Sequence, residues 1–188
     1  LAEMPSYWKC AVSPEIVIEA GELDGRQKRW WKDLFLNGLG EFFYKNKIDF
    51  TKRGFLTLRA KTYSSHPFSE KQIKGGSFLV PVGGGKDSLV ALELLKRTER
   101  KFQPFILGNF PAAFAVLKAT KSPQPIEVQR RIDPKLFALN QRGYLNGHTP
   151  FSAYLAFVSV FSAKLFGHHA VAVANERSAN EETVIFHG

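Results

Sequence analysis

The chain has 188 residues, of which 44% are hydrophobic and 13% aromatic, and it carries a formal net charge of +9 at pH 7. This length and composition predict a globular protein with one substantial core, or one domain with an appendage. No apolar run reaches the roughly 18 residues that a membrane-spanning helix needs, and the first residues do not resemble a secretory signal. Cys10 is the single cysteine, which excludes a disulfide within the chain and a zinc site built from cysteines. We therefore expect a cytoplasmic protein without a membrane partner.

The basic residues are scattered in small groups, for example within 26–32, 45–53 and 96–101. Solvated surface faces explain most of them, so a nucleic-acid partner is an alternative that this distribution does not favour. An anionic small molecule, such as a nucleotide or a nucleotide sugar, suits the charge balance equally well. The sequence does not indicate an oligomeric state.

Residues 1–76 are predicted to form a small α+β extension that precedes the main domain. The apolar periodicity there predicts a strand at 15–19, a helix at 27–43 and a strand at 54–60. Gly38 and Gly40 weaken the middle of that helix, and Trp30 and Trp31 are interpreted as core residues rather than as a platform for bases. Residues 61–76 are rich in turn signals and are interpreted as the linker into the second domain.

Residues 77–188 are predicted to form the main domain, in which strands alternate with helices. The expected elements are strands at 78–82, 105–107, 126–132 and 170–174 and helices after Ser88, at 112–119 and at 150–166. This alternation predicts a doubly wound α/β domain with a mostly parallel sheet. In such a sheet ligands bind at the carboxyl ends of the strands, where Gly83, Asn109 and Asn175 are expected to lie.

The most informative motif is the glycine run Gly83-Gly84-Gly85, which is followed by Lys86-Asp87-Ser88. An apolar strand stops at three glycines and an amphipathic helix follows, so backbone N–H groups can close on an anion at a helix N-terminus. Asp87 or Ser88 is predicted to cap that helix. Neither the Walker A spacing nor the G-x-G-x-x-G spacing is present. The motif resembles instead the PP-loop of the ATP pyrophosphatases, which implies a HUP-like PP-loop fold that binds ATP and Mg²⁺.

Two further polar segments restrict the resemblance to one family within that superfamily. One is 142–150, which contains Asn146 and His148; the other is 175–181, directly after the last apolar strand. With the glycine run, they resemble the family of ATP-dependent UDP-N-acetylmuramoyl-L-alanyl-L-glutamate epimerases of peptidoglycan synthesis. That family implies chains about twice this long, so we expect this one to lack a carboxyl-terminal half.

The resemblance implies a role for each matching residue. Gly83, Gly84, Gly85, Lys86, Asp87, Ser88 and Asn109 would bind ATP, with Asp87 and Glu181 holding Mg²⁺. The residues on the nucleotide-sugar peptide substrate would be Asn146, His148, Asn175, Glu176, Arg177, Asn180 and Glu181. Lys86, Asp87, His148 and Arg177 would be catalytic, with His148 as the first choice for the proton-transfer base. Two alternatives stay open at this point: an adenylating enzyme that acts on tRNA, and an ATP-binding module without catalysis.

Overall fold

The structure is a computed structural model that describes residues 1–61 and 76–175. In chain order the elements are α1 (Met4–Trp8), β1 (Glu15–Glu22), α2 (Gly25–Gly38), α3 (Gly40–Lys45), β2 (Thr57–Lys61), β3 (Ser77–Pro81), α4 (Lys86–Arg97), β4 (Lys101–Leu107), α5 (Pro111–Ala119), β5 (Ile126–Val128), α6 (Pro134–Gln141), α7 (Phe151–Leu165) and β6 (Ala170–Val171). Within these residues, no helix has both the length and the apolar character to cross a membrane.

The described residues fall into two compact units. Unit 1 contains residues 1–61 and 132–154, and unit 2 contains residues 76–131 and 155–175. The segment that carries α6 therefore belongs to the same unit as the amino-terminal residues, although it follows β5 in sequence. The division of the chain into domains at residue 76 stays a prediction.

Unit 1 is built around a two-stranded parallel sheet and a core rich in aromatic rings. β1 pairs with β2 in a register that sets Glu15 opposite Thr57. The buried core residues are Trp8, Ile16, Trp31, Phe35, Leu39, Phe42, Phe43, Leu56 and Leu58. Trp31 is buried and Trp30 is half-exposed, and their rings meet edge to face with centroids 5.0 Å apart. The assignment of this pair to the core is thus confirmed for Trp31 alone.

The helix predicted at 27–43 is two helices in the structure. Asp24 begins α2 with a capping box, in which the Gln27 N–H donates to Asp24 Oδ1 at 2.7 Å and the Asp24 N–H donates to Gln27 Oε1 at 2.9 Å. α2 ends at Gly38 and α3 begins at Gly40, while Leu39 between them is fully buried. Glycine is a weak helix former, so the two glycines mark the break.

Unit 2 is a four-stranded parallel sheet with the strand order β5-β4-β3-β6. Its α/β class and parallel strands are confirmed, whereas a doubly wound arrangement stays a prediction. The buried core residues are Val80, Val82, Leu92, Ile106, Ala113 and Leu117. The chain moves outward on one side from β3 to β4 and β5 and then returns to the other side of β3 with β6. The strand order thus reverses at β3, and the carboxyl end of a strand at such a point is where α/β sheets bind ligands.

Several of the sequence-based expectations differ from the structure. The helices α1 and α6 were not predicted, and α1 has only five residues. β5 ends at Val128 rather than at residue 132. α7 begins at Phe151, one residue after the predicted start at Pro150. The strand predicted at 170–174 as buried has two residues, and both are half-buried, because the described sheet ends at β6 and no further strand pairs with it there.

The hydroxyl of Ser159 on α7 is buried and has no hydrogen-bond partner among the described residues. Leaving a buried polar group without a partner costs free energy, whereas an apolar replacement of the same shape is nearly neutral or stabilising. We expect Ser159→Ala to leave the free energy of unfolding unchanged or to raise it by up to about 1 kcal/mol, as measured by urea denaturation.

The matched control removes a buried hydroxyl that is bonded. Thr120 Oγ1 donates to the Val116 carbonyl at 2.8 Å and contacts Ser122 Oγ at 2.8 Å. Thr120→Val is expected to lower the free energy of unfolding by about 1–2 kcal/mol. A loss of stability in Ser159→Ala equal to that in the control would show that Ser159 has a bonding partner.

Candidate functional site

The turn between β3 and α4, residues 82–88, is called the glycine turn here. The Val82 N–H donates to the Phe105 carbonyl on β4 at 2.9 Å, which holds the start of the turn against the neighbouring strand. Gly85 is the N-cap of α4, with φ −85° and ψ 174°. The glycine turn therefore lies at the carboxyl end of the strand where the strand order reverses, and it leads directly into a helix N-terminus.

Gly84 is fixed by its neighbours and by its backbone conformation. Its φ is +93°, a region that side-chain-bearing residues rarely adopt. A Cβ on Gly84 would lie 2.6 Å from the carbonyl carbon of Ala112 and 2.7 Å from the backbone nitrogen of Ala113, in the first turn of α5. With glycine at position 84, the turn packs against α5 more closely than it could with any other residue at that position.

The two glycines beside Gly84 are open to solvent. A Cβ on Gly83 or on Gly85 would meet no atom within 4 Å, and both residues are exposed. The first turn of α4 follows, and the N–H groups of a first helical turn have no partner within their own helix. Open space beside a helix N-terminus with partial positive charge can accommodate a phosphate or a carboxylate.

The predicted cap of α4 by Asp87 or Ser88 is wrong. Gly85 is the N-cap, and no side chain forms a capping hydrogen bond to α4. The nearly buried Ser88 hydroxyl instead accepts a hydrogen bond from the Gly83 N–H at 3.2 Å. Ser88 therefore stabilises the turn from inside, and the Gly83 N–H is engaged by the Ser88 hydroxyl.

The predicted ATP residue Asn109 and the predicted substrate residue Asn175 follow strands that end at the same edge of the sheet. Asn109 is exposed and follows β4, immediately before the helix that contacts Gly84. Asn175 is exposed and follows β6 after three further residues. Because β3, β4 and β6 are parallel, their carboxyl ends face the same way. The structure thus brings the glycine turn, Asn109 and Asn175 to one edge of the sheet.

Lys86 and Asp87 occupy the first two positions of α4, where Lys86 is exposed and Asp87 half-buried. Over residues 1–61 and 76–175, no group of three or more His, Cys, Asp or Glu side chains is arranged to hold a metal ion. Asp87 alone is still compatible with Mg²⁺, since this ion is commonly held by one or two carboxylates together with substrate phosphates. The other predicted metal residue, Glu181, lies outside the described residues, as do Glu176, Arg177 and Asn180.

Asn146 and His148 belong to unit 1, in residues 143–149, which are called the His148 loop here. The loop is held by the buried Lys9, whose Nζ donates to the Gly147 carbonyl, and by the Leu145 N–H, which donates to the Cys10 carbonyl at 3.3 Å. Gly147 has φ +155° and lies against the Phe42 ring. The loop therefore packs on the aromatic core of unit 1. Cys10, which accepts the hydrogen bond from Leu145, has a thiol whose pKa is raised by burial, with a smaller opposing effect from Lys9.

His148 lies beside a carboxylate that the sequence did not single out. Its Nδ1 is 3.7 Å from Glu41 Oε2, and Lys45 Nζ donates to Glu41 Oε1 at 2.5 Å. The hydrogen bond and charge of Lys45 lower the pKa of the Glu41 carboxyl, with a smaller contribution from His148. An imidazole next to an ionised carboxylate can be oriented as a general base.

Lys9 and Glu41 are the residues that sequence reasoning missed. A lone lysine in the first ten residues and a glutamate in a helical segment carry no local signal. Their partners are far away in sequence: Gly147 is 138 residues from Lys9, and the Glu41–His148 pair is also nonlocal.

Neither of two surface cavities in unit 1 contains a predicted site residue. The larger, of about 460 Å³, lies at the β1–β2 sheet and is lined by residues such as Val17 and Arg59; the smaller, of about 200 Å³, lies between α2 and β2.

The comparison with family models matches the whole chain, residues 1–188, to the MurL N-terminal domain. The chain belongs to this family. Three curated relatives are each named UDP-N-acetyl-alpha-D-muramoyl-L-alanyl-L-glutamate epimerase. They come from Xanthomonas oryzae pv. oryzae (33% identical over 93% of this chain), a Micromonospora species (33% over 97%) and Salinispora tropica (35% over 97%). The family that the three sequence segments resemble is thereby confirmed.

The chain spans only part of these relatives. The matched region covers 38% of the Xanthomonas protein, 40% of the Micromonospora protein and 39% of the Salinispora protein. No solved structure matches the chain significantly.

Gly84 and Gly83 make a matched pair for testing the glycine turn. We expect Gly84→Ala to lower the free energy of unfolding by about 2–4 kcal/mol, because the methyl group overlaps the α5 backbone and the residue is held at positive φ. Gly83→Ala places its methyl group in open space and should change the free energy of unfolding by less than about 1 kcal/mol. Equal urea midpoints for the two variants would contradict the close packing of Gly84 on α5.

The second test concerns the carboxylate beside His148. We expect Lys45→Met to raise the pKa of the Glu41 carboxyl toward its ordinary value, because the principal partner that favours the ionised form is removed. Lys47→Met, which changes an exposed lysine two residues further along, should leave the Glu41 pKa unchanged. Carbon-13 NMR titration of the Glu41 carboxyl measures both, and an unchanged pKa in Lys45→Met would contradict the pairing.

Proposed function

We propose that this domain is the ATP-binding part of an ATP-dependent epimerase that inverts the terminal glutamate of UDP-N-acetylmuramoyl-L-alanyl-L-glutamate. The single observation that carries the proposal is the glycine turn. It is locked at Gly84, open at Gly83 and Gly85, and placed at a helix N-terminus where the strand order reverses. The names of the three relatives support the epimerase reaction and the substrate. A PP-loop type of ATP cleavage accounts for why an epimerase would need a phosphate-binding turn.

The chemistry requires activation because the α-hydrogen lies next to a carboxylate. Removing that proton would place a carbanion beside a negative charge. The terminal carboxylate therefore attacks the α-phosphorus of ATP and displaces pyrophosphate. In the acyl-adenylate that results, the former carboxylate no longer carries a negative charge, so the neighbouring α-proton becomes acidic. A base removes this proton and it is returned on the opposite face, after which water releases the D-glutamyl product and AMP. When bound, Mg²⁺ would neutralise charge on the phosphates.

The residues of unit 2 bind the nucleotide in this proposal. The backbone N–H groups of Gly84 and Gly85 and the first turn of α4 hold the pyrophosphate portion of ATP. Lys86 would offset phosphate charge, and Asp87 is the residue that would hold Mg²⁺. Ser88 keeps the turn in shape through the Gly83 N–H, and Asn109 lies at the edge where the rest of the nucleotide would bind.

The substrate side of the proposal combines two groups of residues. Asn146 and His148 are on the His148 loop, where the Glu41 carboxylate beside the imidazole suits a proton-transfer base. The second group is the polar segment after β6. Its members are Asn175, Glu176, Arg177, Asn180 and Glu181. Arginine at this place would bind a phosphate or a carboxylate bidentately.

The test is the release of AMP and pyrophosphate from Mg-ATP. It is measured with the muramoyl dipeptide substrate, with bulk tRNA and with neither, for this chain and for the full-length Salinispora relative. The proposal predicts release from the full-length protein that depends on the muramoyl dipeptide. Release stimulated by tRNA would indicate the adenylating enzyme that acts on tRNA. Nucleotide binding without turnover under every condition would indicate an ATP-binding module.

Asp87→Ala is expected to lower AMP formation by at least about a hundredfold, since an interaction with the transferring group is lost, without changing the melting temperature. Glu93→Ala removes the same charge from the same helix six residues later and should leave AMP formation intact. Both variants are made in a fusion protein, in which this chain is followed by the carboxyl-terminal part of the Salinispora relative. The fusion protein without either substitution is first shown to form AMP. AMP formation by Asp87→Ala at the unmodified rate would contradict the role given to the glycine turn.

A further inference from the structure

Helix α7 carries large apolar side chains on its exposed face. Val160 is 61% exposed, Phe161 is 68% exposed and Leu165 is 66% exposed, and Phe166 directly after the helix is 54% exposed. Phe161 and Leu165 are four residues apart and so lie on the same face. We call Val160, Phe161, Leu165 and Phe166 the α7 patch. Exposed aromatic and branched side chains at this density mark an interaction site rather than an ordinary surface.

The buried face of the same helix is small and polar. Ser159, Ser162 and Ala163 are buried, and at 3.6 residues per turn Ser159 and Ala163 lie opposite the exposed Phe161. A surface helix normally shows the reverse arrangement, with its large apolar side chains toward the core. On α7 the large apolar side chains face outward instead, so the α7 patch needs a partner to cover it.

The strand that follows α7 supports the same reading independently. β6 is an edge strand of the described sheet, both its residues are half-buried, and Val173 just beyond it is 61% exposed. Parallel sheets are nearly always covered on both faces, so their strands are buried. The incomplete cover of β6 and the exposed face of α7 occur in consecutive elements of unit 2, within residues 155–175.

The size of the relatives identifies the partner. This chain covers only 38–40% of each of three curated relatives, and the family model that it matches is called an N-terminal domain. We propose that the α7 patch is the surface on which the carboxyl-terminal part of the MurL proteins docks. The proposal depends on family membership and on the exposure of α7, and it does not depend on the ATP chemistry proposed above.

Cysteine labelling tests this proposal, because Cys10 is the single native cysteine of the chain and is buried. Val160→Cys and Leu165→Cys are made separately in the 188-residue chain and in a longer protein, in which this chain is followed by the carboxyl-terminal part of the Salinispora relative. The control is Val17→Cys, which replaces a 53% exposed residue on β1 of unit 1. Maleimide labelling of each engineered thiol is followed by mass spectrometry of its own peptide.

We expect labelling at residues 160 and 165 to be about tenfold slower, or more, in the longer protein, because local opening then limits access to the thiol. Labelling at residue 17 should proceed at the same rate in both proteins, which also shows that the longer protein is folded around β1. Equal rates at residues 160 and 165 in the two proteins would overturn the proposal. Protection that appears in the 188-residue chain alone as its concentration rises, or only when lipid vesicles are added, would assign the α7 patch to a second copy or to a membrane and would overturn it as well.

Discussion

The close approach of Gly84 to the backbone of α5 is the contact on which the candidate site depends. With 2.6 Å between the place of a Cβ and the Ala112 carbonyl carbon, no residue other than glycine fits at this position of the turn after β3. The register of β3 and β4, in which Pro81 lies opposite Phe105, brings the start of α5 to that place. The direction of α4 and the open space beside Gly83 and Gly85 follow from it. The shape of the glycine turn thus depends on two neighbouring strands and not on the glycine run alone.

The parts of the fold that local patterns determine could be predicted from the sequence. The glycine run predicted a turn after an apolar strand, and the structure has β3, the turn and α4 in that order. Alternating strands and helices predicted the parallel sheet, whose ends carry Gly83, Asn109 and Asn175. These features depend on glycine, on the period of the apolar residues and on the direction of parallel strands, all of which are visible within a few residues.

The parts that depend on distant partners could not be predicted. Ser88 has the residue type of a helix cap, yet its hydroxyl bonds to the Gly83 N–H instead, because the helix begins two residues earlier. Helix α1 is too short to show a period, and it is held by ring contacts of Trp8 with Phe35 and Phe43 at 5.6 and 6.2 Å. Helix α6, in contrast, did carry a sequence signal, because Asp133 followed by Pro134 is a typical helix start. In the structure the Asp133 side chain caps this helix by accepting a hydrogen bond from the Lys135 N–H at 2.9 Å.

The two groups of predicted site residues have different structural support. The glycine turn is fixed by the sheet and by α5 in unit 2, whereas the His148 loop is fixed in unit 1 by a buried lysine and by Glu41. Each arrangement suits the role proposed for it: an open helix N-terminus for phosphate, and an imidazole beside a carboxylate for proton transfer. The roles given to these residues stay predictions, and the contacts explain how each group keeps its shape.

The central claim is that the open side of the glycine turn binds the phosphates of ATP, and backbone amide NMR with added Mg-ATP tests it most directly. We expect the amide signals of Gly84, Gly85 and Lys86 to shift the most and to saturate together, while the chemical shifts of β1 and β2 stay unchanged. Saturable shifts confined to β1 and β2, or no shift at the glycine turn at ATP concentrations that shift other residues, would contradict it.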